Sequence, residues 1–156
     1  MRNIVFLIIV GAFFASCQNP THIQIVNDRA VEKTLNYGLG DYYSDTGRIR
    51  NVEHIYLEYG EICDIQIVAY KYVTSGEASR YDVVEEIFLN RIEANSMSEV
   101  IEIASCDRVD VIYLTYAYDN YYLNSQKIDT KKVPFDQKVI KEDIKYGKMN
   151  RIIITE

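Results

Sequence analysis

One ten-residue run constrains this chain more than any other: Val109-Asp-Val-Ile-Tyr-Leu-Thr-Tyr-Ala-Tyr118. Apolar and aromatic residues occupy both parities, so neither face is open to solvent along its whole length. Val111, Tyr113 and Thr115 point one way; Ile112, Leu114, Tyr116 and Tyr118 point the other. Such a strand belongs in the middle of a sheet. Other runs supply its neighbours. His22–Val26 alternates and reads as a first strand, and Glu99–Ser105 and Arg151–Thr155 read as later ones. Ile49–Tyr59 and Ile62–Val73, separated by Gly60-Glu61, read as an antiparallel hairpin.

Three stretches carry helical spacing instead. Asn27 can cap a short helix over residues 28–36, with Ala30, Val31, Thr34 and Leu35 on one face. In Ser79–Ala94 the pairs Val83-Val84 and Glu85-Glu86 break alternation, while Val83, Val84, Ile87, Phe88 and Ile92 form one helical stripe. Val139, Ile140 and Ile144 follow Pro134 at helical intervals. The expected fold is therefore α+β: an antiparallel sheet with two or three short helices on one face. An all-β sandwich is the alternative, and it requires residues 79–94 to be extended. Gly38–Gly47 reads as a surface loop, and Asp119-Asn120 as a tight turn.

The 156 residues include 14 Tyr, no Trp, 7 Gly and 2 Pro, a balance that suits one domain rather than a linker or disordered chain. Formal net charge is −6. Residues 126–156 hold eight Lys/Arg against five Asp/Glu. The excess of acid therefore lies in the body before them, −10 over residues 17–125. Such a body does not suit nucleic acid, which is gripped through its phosphates, but it would attract a basic protein. Five clustered tyrosines, Tyr113, Tyr116, Tyr118, Tyr121 and Tyr122, offer apolar contact with little entropy to lose, either to a basic protein or to a glycan. No Gly-x-Ser-x-Gly, His-Glu-x-x-His, Walker loop or Cys-x-x-Cys occurs, and His22 and His54 are the only histidines. No catalytic residue, metal site or cofactor is assigned. Carboxylate-based glycan hydrolysis is the alternative to a binding or inhibitory module.

The first residues address location. Arg2 is followed by the uncharged apolar run Ile4–Phe14, then the small residues Ala15 and Ser16, then Cys17. That is the layout of a secretory signal over residues 1–16, too short for a permanent span. Phe14-Ala15-Ser16-Cys17 resembles the lipobox of bacterial lipoproteins, with Phe where Leu is usual. The resemblance implies cleavage before Cys17, acylation of that residue, and attachment to the envelope. Residues 17–21 would be a lipidated tether and 22–156 a single globular domain. Gln18 is not the Asp of inner-membrane retention, so the resemblance favours the outer membrane facing the periplasm and leaves the outer surface open. Cys63 and Cys106 remain as an even pair in an oxidising compartment. Bridged, they would close a loop of about 44 residues worth roughly 4 kcal/mol; unbridged, they would be two buried thiols.

Overall fold

A computed structural model describes residues 19–155; Cys17 and the signal segment lie outside the described residues. Ten strands form two sheets: β1 (Thr21–Asn27), β2 (Lys33–Ser44), β3 (Gly47–Glu58), β4 (Ile62–Ser75), β5 (Ala78–Ile92), β6 (Ser96–Met97), β7 (Ile101–Ile103), β8 (Arg108–Leu123), β9 (Gln126–Asp143) and β10 (Met149–Ile154). No helix occurs among the described residues, so the α+β expectation is wrong and the all-β alternative is the architecture.

The small sheet centres on β1. It pairs with β10 in parallel on one edge and with β6 and β7 antiparallel on the other. The large sheet centres on β8. One edge of β8 pairs with β9 along its whole length. The other edge is shared: Arg108–Leu114 pairs with β4 and Ala117–Tyr122 with β3. Both partners run antiparallel to β8, so β3 and β4 lie head to tail in one line, interrupted at Gly60. The hairpin expected between them does not form. Each instead makes a hairpin outward, β3 with β2 and β4 with β5.

The small sheet packs on only half of the large one. Its Ile23, Ile25, Ile103, Ile152 and Ile154 close a core with Ile62, Ile65, Ile67, Ile92, Val109, Val111 and Tyr113. No residue of β2 or β3, and none of β8 beyond Tyr113, belongs to that core. The near half is thus a two-layer sandwich, and the far half, β2-β3-β8-β9, extends beyond it as one layer. At about 3.3 Å per residue, β8 spans roughly 50 Å between the two ends.

Each failed helix has a local cause. In β5 the break in alternation is a bulge: Tyr70 faces Val83 and Ala69 faces Glu85, leaving Val84 as the extra residue. Beyond it Ile87 and Leu89 turn inward and Phe88 outward. Residues 28–32 are irregular because tertiary contacts claim them. Asn27 does not cap; its amide donates to the carbonyls of Gly60, Ile92 and Glu93 at 2.8–3.1 Å. Arg29 is buried against Glu58. The Val139–Ile144 spacing lies on β9, an edge strand that tolerates Pro134. Gly38–Gly47 is mostly strand, its turn confined to Asp45-Thr46. β8 passes straight through Asp119-Asn120 and turns at Asn124-Ser125, both at positive φ, as a two-residue hairpin loop requires.

The interruption at Gly60 is held from both sides. Its φ is +67°, and a Cβ there would press into the carbonyl oxygen of Ala30. Only glycine fits while Asn27 grips the Gly60 carbonyl.

Candidate partner-binding face

The five tyrosines do not form one cluster. Tyr113 is 1% exposed in the sandwich core. Tyr121 shares its parity and lies on the inner face of the far half, 8% exposed. There Tyr42 and His54 stack against it at 4.8 and 4.9 Å. Gly40 makes room, since a Cβ would come 2.6 Å from the His54 Nε2. Tyr42 donates to Asp129 at 2.7 Å across two intervening strands, about 14 Å in a flat sheet, so the far half curls toward this face. Burial, then Asp119 beside it, pushes the Tyr121 phenol far up.

Tyr116, Tyr118 and Tyr122 have the other parity and lie half-buried on the outer face. The structure joins residues to them that periodicity did not single out. Tyr59 meets Tyr118 edge-on at 4.9 Å. Lys132, opposite Tyr118 in the β8–β9 register, holds its ammonium 4.1 Å from the Tyr116 ring centroid and 5.7 Å from that of Tyr118. Glu61, buried at the Gly60 interruption, accepts from Tyr118 at 2.6 Å and has Arg91 and Lys132 each at 3.5 Å. Asp64 accepts from Tyr116 at 2.9 Å. Burial and then Glu61 raise the Tyr118 phenol, and the bond to Asp64 raises that of Tyr116. Burial alone would lower Lys132, but Tyr118 and Glu61 together hold it above the ordinary lysine value.

The hairpin turn was the missing signal. A two-residue loop at Asn124-Ser125, with the bulge between Tyr121 and Tyr122, puts Lys132 beside Tyr118. A turn at Asp119-Asn120 could not.

The Tyr116 and Tyr118 rings lie beside a cation with their hydroxyls bonded, and Tyr59 meets Tyr118 edge-on, so these three present ordered apolar area. Both nearby carboxylates are engaged by tyrosine hydroxyls. Among the described residues no group of three His, Cys, Asp or Glu is placed to hold a metal. Cys63 and Cys106 are free and buried, so the bridge does not form. Cys63 pairs with Leu114, while Asp107, next to Cys106, donates its N–H to the Tyr70 carbonyl. Seven residues of strand, about 23 Å, separate those two places along β4, far beyond disulfide reach. Burial pushes both thiols up, which disfavours a Cys106 thiolate nucleophile. Comparison with protein-family models, with curated proteins and with solved structures gave no match.

Proposed function

We propose that this chain is a lipid-anchored envelope protein, held through Cys17, whose single-layer far half binds another macromolecule on its outer tyrosine face. One observation carries the reading. The ordered cluster of Tyr59, Tyr116, Tyr118 and Lys132 starts at the junction, where Tyr116 bonds Asp64, and continues with Tyr122 onto the part of the large sheet that extends beyond the sandwich core. The anchor part rests on the lipobox resemblance. Asn19 and Thr21 sit at the Arg108 end of β8, roughly 50 Å from the Leu123 turn, so a chain tethered at Cys17 would present the tyrosine end outward. The excess of acid over residues 17–125 favours a basic protein as partner.

Two substitutions test the parts separately. Cys17→Ser should release the protein from membranes; recovery of that variant with membranes, without detergent, would refute the anchor. Tyr118→Ala should raise the dissociation rate of a captured partner about tenfold or more if the tyrosine is a hot spot. An unchanged rate, with affinity also indifferent to salt, would discard the binding face. Loss of a glycan-cleaving activity on replacing one carboxylate, with tyrosine variants unaffected, would favour a hydrolase instead.

A further inference from the structure

At the opposite end of β8 the molecule carries a second site of different chemistry. An open pocket of about 630 Å³ lies where the described chain begins, walled by Asn19, Pro20 and the loop between β9 and β10. Its lining includes Lys71, Lys145, Lys148 and His22 and no carboxylate, in a chain whose formal net charge is −6.

The loop that carries two of the lysines is held by its backbone. The Asn150 side-chain amide donates to the carbonyls of Lys145 and Lys148 at 3.2 and 3.0 Å, and its Oδ1 accepts the Lys145 N–H at 2.8 Å. One side chain thereby clamps both ends of the loop. The same amide lies 3.4 Å from the His22 carbonyl of β1. Lys71 donates to Tyr146 at 2.8 Å, and Tyr146 bonds Asp107, fixing the pocket's third lysine. The charge of Asp107 is thus matched by Lys71, and Glu102 faces His22 at 3.6 Å. Lys145 and Lys148 have no carboxylate within ion-pair distance among the described residues. Two uncompensated lysines on a loop whose backbone is clamped, beside a third that is fixed, suit a multiply bonded anion such as phosphate.

Position identifies the source. Asn19 lines the pocket and lies two residues from Cys17. Two peptide units reach at most about 7 Å. Resting on the lipid-anchor reading, we propose that this pocket takes the phosphate of an anionic phospholipid headgroup beside the anchor. The lipid site fixes the tilt of the molecule as well as its attachment: with this end against the membrane, the tyrosine end lies at the other end of β8, away from it.

The test uses the full-length protein purified from membranes and placed in nanodiscs of phosphatidylcholine, with or without phosphatidylglycerol. Amide hydrogen exchange is followed over residues 144–149. Each lysine near a negative surface is worth a factor of roughly five, so phosphatidylglycerol should slow exchange there by about tenfold or more. The double variant Lys145→Gln/Lys148→Gln should lose that slowing while exchange in β8 stays unchanged, which shows an intact fold. Inorganic phosphate added to phosphatidylcholine discs should have little effect; slowing by phosphate but not by phosphatidylglycerol would overturn the lipid source. The mass of the N-terminal peptide reports acylation in the same sample. Acylated protein whose loop ignores phosphatidylglycerol overturns the pocket and leaves the anchor standing. Unacylated protein overturns the anchor and, with it, this siting.

Discussion

The two halves of β8 show what a second layer does to a strand. From Val109 to Tyr113 the inward residues face the small sheet and form an isoleucine- and valine-rich core. From Ala117 to Tyr121 the same parity has no such layer. Val52 and Ala117 are buried there beneath long polar-tipped aromatics, Tyr42, His54 and Tyr121, which stack on one another on a curled sheet. Hydrophobic transfer stabilises the near half, while ring contacts, cation–π pairs and bonded hydroxyls organise the far half. A surface ordered without a covering layer draws on tyrosine and lysine rather than isoleucine.

The largest expected effect lies at the junction. Arg29 and Glu58 form an ion pair with side chains each 5% exposed. Arg29→Ala leaves a buried carboxylate unpaired and should cost about 3–5 kcal/mol by denaturant unfolding. A loss below 1 kcal/mol would show that the junction does not depend on the pair.

Next comes a matched pair across the two halves. Ile65→Ala, in the core, should cost about 3 kcal/mol. Leu57→Ala, half-buried in the single layer, should cost about 1 kcal/mol. Equal costs would erase the distinction between the halves.

Smaller again is Tyr118→Phe, which removes the hydroxyl from Glu61 and keeps the ring. Stability should fall by about 1 kcal/mol, and ring-mediated partner binding should largely survive.

The mildest probe is alkaline titration. The Tyr118 and Tyr121 phenols are raised above their ordinary value of 10.0. The folded state therefore holds their protons more tightly, and this contribution is complete below pH 10. It is lost as pH rises through the folded values. Tyrosinate absorbance should thus show these two phenols lagging behind exposed ones, and stability should decline only above pH 10. Ionisation of every tyrosine near 10 would contradict the environments described.

Strands with clean alternation were legible in the sequence. β1 and β10 stand within two residues of where periodicity puts them, β8 begins where expected but runs past Tyr118 to Leu123, and the face assignment of Tyr113 against Tyr116 and Tyr118 holds. Residues 79–94 misled because one bulged residue, Val84, shifts the period from two toward the helical pattern. Residues 28–36 misled because Asn27 spends its amide on three distant carbonyls, a tertiary demand with no local trace. The candidate site was half visible. The tyrosines were evident, but their partition between core, inner and outer faces depends on β8 running unbroken to Leu123. Lys132 and Glu61 join them only through long-range register.

The most direct test of the central claim, that the far outer face meets the partner, is a photo-crosslinking scan along the large sheet's outer surface in intact envelopes. A photoreactive phenylalanine analogue would replace Tyr122, Tyr118 and Tyr116 in the far half, and Phe88, 69% exposed, in the near half. One discrete adduct shared by positions 116, 118 and 122, and none at 88, is the expected result. Adducts at 88 alone, with none along the tyrosines, would contradict it.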